Sequence, residues 1–129
     1  MQNQIHLHLL SDSNITDMVA DRIEYDVIPC GSAFPAISTS SRLINRTEFK
    51  AETSKEQTER LTINVFAKQR RECLNLAKLV RDKLDRLNGI VQGMRFYDIK
   101  IEGDYYSYDD TDETHIKHLD FIVNYQQED

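Results

Sequence analysis

A helical stripe in the middle of the chain constrains the fold more than any other feature. The apolar side chains of the stripe recur at intervals of three or four residues: Cys73, Leu76, Ala77, Val80, Leu84 and Leu87. This spacing places all of them on one side of an α-helix. The pattern predicts a helix over residues 69–88, with Asn88-Gly89 as its C-terminal stop. One helix cannot bury such a stripe alone, so the rest of the chain must supply the opposing surface.

Segments in which apolar and polar residues alternate supply that surface as a sheet. Residues 59–68 place four apolar side chains on one face: Leu61, Ile63, Val65 and Ala67. Residues 94–103 and 115–125 also alternate, and the first of these segments puts Ile99 and Ile101 on one face and Phe96 on the other. A period of two residues is typical of half-buried strands. The segments at 22–28 and 36–44 read as earlier strands, punctuated by Pro29, Gly31 and Pro35.

The order of these segments predicts the fold class. Residues 2–11 suit a short helix, and Ser13–Asp17 suits the cap of a second short helical turn. We therefore expect an α+β fold: an antiparallel sheet of about four to five strands, one long amphipathic helix packed on one face, and a short N-terminal helix. At 129 residues the chain is predicted to be a single domain, residues 1–129.

Two polar segments interrupt this pattern. Residues 45–58 carry no apolar period, and residues 104–113 form an acidic and aromatic connection between two predicted strands. Connections this long in a small domain are usually functional or disordered. Both are predicted to be long mobile loops, the second at the tip of an antiparallel hairpin.

Composition and charge exclude several classes of protein. The chain has 16 Lys and Arg against 22 Asp and Glu, a net charge of −6, which disfavours broad binding to duplex nucleic acid. No apolar run reaches the roughly 20 residues of a membrane helix, so no membrane partner is expected. Cys30 and Cys73 have no neighbouring Cys or His at ligand spacing, which favours reduced thiols in an intracellular protein.

Chemical motifs are weak throughout. The histidines form two pairs, His6 with His8 and His115 with His118, which lack a carboxylate at ligand spacing and indicate surface or turn positions rather than a metal site. The tip acids suggest a calcium loop only vaguely, since the central glycine is missing. No nucleophile elbow or phosphate-binding glycine loop is present. We therefore expect no enzyme, no cofactor and no metal; a small ion- or ligand-binding regulatory module using the tip is the alternative function.

The tip also carries a cluster of tyrosines. Aromatic side chains give contact area at low entropic cost, so an exposed tyrosine cluster indicates a protein interface. The acids beside it suit a salt bridge to a basic partner or a surface that repels DNA. The candidate interface residues are Tyr105, Tyr106, Tyr108, Asp109, Asp110, Asp112 and, in the other polar segment, Phe49.

The succession of segments resembles the tail-completion, or tail-terminator, proteins of long-tailed bacteriophages and prophages. The resemblance covers residues 5–125 and is strongest where LTINVFAK runs into the helix and in the final strand, HIKHLDFIVNY, with FPAISTSS before them. It implies a structural virion protein, assembled in the host cytoplasm, that forms a ring, commonly a hexamer, at the head-proximal end of the tail tube. The implied partners are further copies of itself, the tail tube protein and the head connector, while DNA passes through the ring without specific binding. No catalytic residue or cofactor is implied.

Overall fold

A computed structural model describes residues 1–46 and 56–126 of the chain. These residues form three helices and six strands. The helices are α1 (Gln2–Leu10), α2 (Ser13–Val19) and α3 (Arg70–Leu84). The strands are β1 (Ile23–Tyr25), β2 (Ala36–Arg46), β3 (Glu56–Ala67), β4 (Gly89–Val91), β5 (Met94–Asp109) and β6 (Thr114–Gln126).

The six strands form one mixed sheet in the order β1-β2-β3-β6-β5-β4. The β1–β2 pair is parallel, and all other neighbouring pairs are antiparallel. The two central strands, β3 and β6, are paired from Glu56 opposite Gln126 to Ala67 opposite His115. The two outermost strands, β1 and β4, are three residues long and cover only part of their neighbours.

All three helices contribute to one core on the same face of the sheet. The apolar residues of β3 and β6 lie there with the α3 stripe, and every stripe residue from Cys73 to Leu84 is buried. Leu87 is partly buried against the same core. Helices α1 and α2 add four fully buried side chains: Ile5, Leu9, Ile15 and Val19. The sheet face that points away from the helices is called the open face below.

The expected fold class is wrong in three respects. The sheet has six strands instead of four to five, it is mixed instead of antiparallel, and three short helices replace one long helix and one short one. The sixth strand is β4, which lies where the sequence predicts only a helix stop. The parallel pair arises because β1 ends at Tyr25, the following Asp26 has a φ of 64°, and residues 26–35 pass over the open face before β2 begins.

Helix α3 ends at Leu84, four residues earlier than predicted, because the next two residues form hydrogen bonds with β5. The Arg86 N–H donates to the Ile99 carbonyl at 2.6 Å, and the Asp85 carboxylate accepts from the Ile101 N–H at 3.1 Å. Arg86 has a φ of 65°, which turns the chain away from the helix. Tertiary hydrogen bonds therefore override a helical period that continues to Leu87.

Strand β5 also departs from simple alternation. Register shifts interrupt its pairing with β6 between Phe96 and Asp98 and between Ile101 and Gly103. Each extra residue switches the side chains to the other face. Phe96, predicted to share the polar face, is therefore fully buried in the core together with Ile99.

Strands extend into both ends of the first predicted loop and into the start of the second. Strand β2 continues to Arg46 and β3 begins at Glu56, while residues 47–55, including the candidate Phe49, lie outside the described residues. Strand β5 continues to Asp109, so only residues 110–113 of the acidic segment are a turn. The mobility of both segments remains a prediction. No helix in the described part of the chain is long and apolar enough to cross a membrane.

Candidate interaction surface

The candidate residues lie at the far end of the β5–β6 hairpin, called the tip (residues 104–113). Because β5 is a strand up to Asp109, its side chains alternate between the two faces of the sheet. The register places Tyr106 opposite Lys117 and Tyr108 opposite His115, on the face that carries the helices. Tyr105 pairs with His118 and belongs to the open face. The structure therefore divides the predicted tyrosine cluster into two groups.

On the helix face, Tyr106 and Tyr108 surround His115. The Tyr106 hydroxyl is hydrogen-bonded to His115 Nδ1, and the Tyr108 ring centroid lies 4.8 Å from that of His115. The Arg70 guanidinium, at the start of α3, lies 5.2 Å from the Tyr106 ring centroid, within cation–π distance. Tyr106 is thus held within the subunit, whereas Tyr108 is exposed.

On the open face, Tyr105 covers a polar chain that crosses four strands. The Tyr105 ring stacks on His118 with centroids 4.4 Å apart. His118 Nδ1 lies 2.8 Å from Asn64 Oδ1, and its Nε2 lies 2.9 Å from Ser107 Oγ. The Asn64 amide nitrogen continues the chain to Ser38 Oγ at 3.4 Å.

This arrangement favours a neutral imidazole at His118. Since the Asn64 amide donates to Ser38, its oxygen accepts the proton on His118 Nδ1, and Nε2 then accepts from the Ser107 hydroxyl. Burial lowers the pKa of His118 below its ordinary value of 6.5, an effect that the Asp120 carboxylate only partly opposes. The polar chain is therefore a fixed structural element near neutral pH.

The three candidate aspartates have different surroundings. Asp109 Oδ1 accepts hydrogen bonds from the backbone N–H groups of Thr111 at 3.0 Å and Asp112 at 3.4 Å, which closes the turn. The Asp112 carbonyl accepts a bond from Lys68 Nζ at 2.6 Å, while Asp110 is exposed. No group of three potential metal-ligating side chains occurs in the part of the chain that the structure describes. The ion-binding alternative thus gains no supporting observation.

Some residues at this end of the sheet are missed by sequence reasoning. Asp104 forms salt bridges with Arg81 of α3 at 2.7 Å and with Lys117 of β6, which ties the helix to the tip. Strand alternation over residues 104–109 would have placed Asp104 on the helix face with Tyr106. The acidic composition of this segment instead favoured a loop.

A groove also opens where residues 26–34 cross the open face. Its volume is ≈ 480 Å³, and its walls include Val27, Pro29, Phe34, Phe66 and Ile116. Lys68 Nζ lies 4.8 Å from the Phe34 ring centroid at one wall. The sequence indicated only that Pro29, Gly31 and Pro35 interrupt the strands in this region, and it did not predict a groove.

The predicted histidine and cysteine environments are only partly correct. His6 is buried, contrary to its predicted surface position; it stacks on Tyr25 with centroids 4.0 Å apart and is hydrogen-bonded to Thr39. Helix α1 turns this side chain toward β2 because Ile5 and Leu9 fix its inner face. Cys30 and Cys73 are both free thiols, the first exposed and the second buried.

Comparison with known proteins identifies similar chains. A family model described as "Tail completion protein gp17" matches residues 3–125. A chain in the solved virion of a native gene transfer agent particle superimposes with a TM-score of 0.80 at 15% identity, covering 98% of this chain and 95% of that one. A second solved structure gives a TM-score of 0.63 at 10% identity, with 100% and 98% coverage. No curated protein sequence matches the chain significantly.

Proposed function

The chain belongs to the family of tail completion proteins, and on that premise we propose that it forms a ring at the head-proximal end of a phage tail tube. In this position it ends polymerisation of the tube and joins the tail to the head connector. Family membership makes the chain a structural protein of the virion tail. The observation that supports the finer proposal is the family match itself, which extends over residues 3–125.

The tip provides a contact surface for such a ring. Tyr105 on the open face and Tyr108 on the helix face are large side chains that remain exposed, by 56% and 49%. Lys68, Asp109 and Arg81 fix the backbone beneath them through the contacts described above. A rigid support for exposed aromatic side chains lowers the entropic cost of binding. We assign this surface to contact with the neighbouring subunit or the tube.

The charge of the chain suits the passage of DNA through the ring. The net charge is −6, and the exposed Asp110 lies at the outermost turn of the tip. A negative lining repels phosphate groups and prevents DNA from adhering as it moves. The tip is therefore assigned a second role in shaping the channel.

Deletion of the gene tests the ring proposal. In a phage that encodes this chain, tails made without it should be irregular in length and should not join heads, as measured by negative-stain electron microscopy. Supplying the purified wild-type chain to such tails should restore joining. Tails of normal length that join heads without the chain would refute the proposal.

A pair of substitutions tests the tip. Tyr105→Ser with Tyr108→Ser should leave the monomer folded, with a modest fall in Tm from the lost ring contacts with His118 and His115, and should impair ring formation or tail joining. Tyr97→Ser is a matched control, because Tyr97 is an exposed tyrosine of β5 outside the tip. Tyr106 is left in place because it holds His115. Normal assembly of the double variant would show that the tip tyrosines are not part of the interface.

A further inference from the structure

The outer edge of β5 is largely uncovered. Strand β4 pairs only with Met94–Phe96, and the residues after α3 occupy the edge at Ile99 and Ile101. Backbone groups of an antiparallel strand point alternately toward one neighbour and the other. Beyond the register shift at Ile101/Gly103, pairing with β6 directs the N–H and C=O groups of Asp104, Tyr106 and Tyr108 outward. No strand of the described residues covers this part of the edge.

The outer edge of β2, at the opposite side of the sheet, is covered by a strand of the described residues only at Ile37–Thr39. Strand β1 pairs only with Ile37–Thr39, and the Asp26 N–H donates to the Thr39 carbonyl at 2.7 Å. By the same alternation, the N–H and C=O groups of Ser41 and Leu43 point outward. Residues 1–46 and 56–126 therefore leave two strand edges open, one at each side of the sheet.

The side chains along these two edges are complementary. Leu43 and Ile44 of β2 are exposed by 40% and 47%, and Tyr105 and Tyr108 of β5 by 56% and 49%. Arg42 is exposed beside Leu43, whereas β5 ends at an acidic turn. Soluble monomers usually protect open edges with bulges, charges or covering segments. Exposed Leu, Ile and Tyr side chains on both edges indicate that each edge has a partner, and the charges beside them restrict which edge can be that partner.

We propose that the β5 edge of one subunit pairs with the β2 edge of a second copy of this chain, extending the sheet from subunit to subunit. The inference rests on the proposed ring and names the surface that builds it. Strand addition to an open edge supplies main-chain hydrogen bonds, and the exposed side chains add specificity. The two edges are different surfaces, so the contact is heterologous and can close into a ring.

The strand directions and positions suit this contact. Counting across the sheet, β2 and β5 run in opposite directions, so β5 of one subunit meets β2 of the next as an antiparallel pair. The two open stretches lie at opposite ends of the sheet. Leu43 pairs with Glu59, Glu59 with Val123 and Val123 with Ile99, so the open part of β2 lies across the sheet from the covered part of β5. Neighbouring subunits are thus offset along the strands by on the order of 20 Å. Closing a sheet requires such a stagger.

Proline substitutions test the pairing. Leu43→Pro and Tyr108→Pro each remove one outward N–H, and proline is tolerated at the open edge of a strand. Leu43→Ala and Tyr108→Ala are the matched controls, since they remove the same side chains and keep the N–H. Analytical ultracentrifugation of each purified variant measures assembly, and circular dichroism confirms folding.

The wild-type chain should sediment as a ring, and each proline variant as a 15.1 kDa monomer, with the alanine variants assembling to a greater extent. After mixing and chemical cross-linking, the two proline variants should yield a pair and nothing larger, because each retains the edge that the other lacks. Proline variants that assemble as well as their alanine controls, a mixture without pairs, or Leu43→Pro pairing with itself would overturn the inference. If the proline variants assembled as well as their alanine controls while the wild-type chain formed rings, only the edge pairing would be refuted and the proposed function would stand. A wild-type chain that stays monomeric would refute the ring itself.

Discussion

Replacing Leu76 with alanine should destabilise the fold by about 3 kcal/mol, a loss that combines transfer and cavity contributions. Leu76 is fully buried on the α3 stripe, within the core shared by β3 and β6. Burying a leucine side chain contributes about 2 kcal/mol by removing apolar surface from water. The remainder is the cost of a cavity that a closely packed core fills only partly. Leu76→Asp would add an unpaired buried charge and cost several kcal/mol more.

Thermal unfolding monitored by circular dichroism measures this effect. For a chain of this size, 1 kcal/mol corresponds to about 4 °C, so the Tm of Leu76→Ala should fall by about 12 °C. Lys78→Ala is the control on the same helix, because its ion pair with Asp82 is solvent-exposed and such pairs contribute only about 0.5 kcal/mol. If Leu76→Ala melted within a degree of the wild type, the assignment of this helix face to the core would be wrong.

The other predictions concern titration, reactivity and the tip. Cys30 should react with a maleimide at neutral pH, while Cys73 should react only on unfolding, because burial raises its pKa to about 11; equal labelling rates in the folded protein would contradict this. Burial lowers the pKa of His6 below its ordinary value of 6.5, so protons bind the unfolded chain first. The free energy of unfolding should therefore decrease as the pH falls below about 6.5. The urea midpoint of a His6→Gln variant should depend less steeply on pH than that of the wild type, and an equally steep dependence would show that His6 is not responsible. Asp109→Ala should cost about 1 kcal/mol by freeing turn N–H groups, whereas Asp109→Asn keeps an acceptor; hydrogen exchange in the turn should be faster only in the first variant.

Much of the core was predictable because the regular spacing of apolar residues is a local property of the sequence. The stripe from Cys73 to Leu84 and the inward faces of β3 and β6 are buried as their spacing predicts. Apolar spacing follows directly from helix and strand geometry, so no knowledge of neighbouring elements is needed. The family resemblance was confirmed for the same reason, since it depends on the order of these segments.

The errors occur where the outcome depends on contacts between distant segments. Helix α3 stops at Leu84 because Ile99 and Ile101 bond to the next residues, which the local sequence does not encode. Phe96 was assigned to the wrong face because a register shift follows it directly. Strand β4 is three residues long, too short for a period to emerge. Each of these features is settled by pairing within the sheet.

The acidic tip was read as a loop because charge was taken as a sign of solvated, irregular chain. Charged residues are also a common device on open strand edges, where they discourage unwanted pairing. A contact between two β5 edges would bring the acids of both copies, Asp104 and Asp109 among them, into one interface, so like charges disfavour that symmetric contact. The exposed Arg42 beside the β2 edge offers the opposite charge. The same acids that obscured the strand in the sequence thus favour a different edge as its partner, which a ring requires and a two-fold dimer does not.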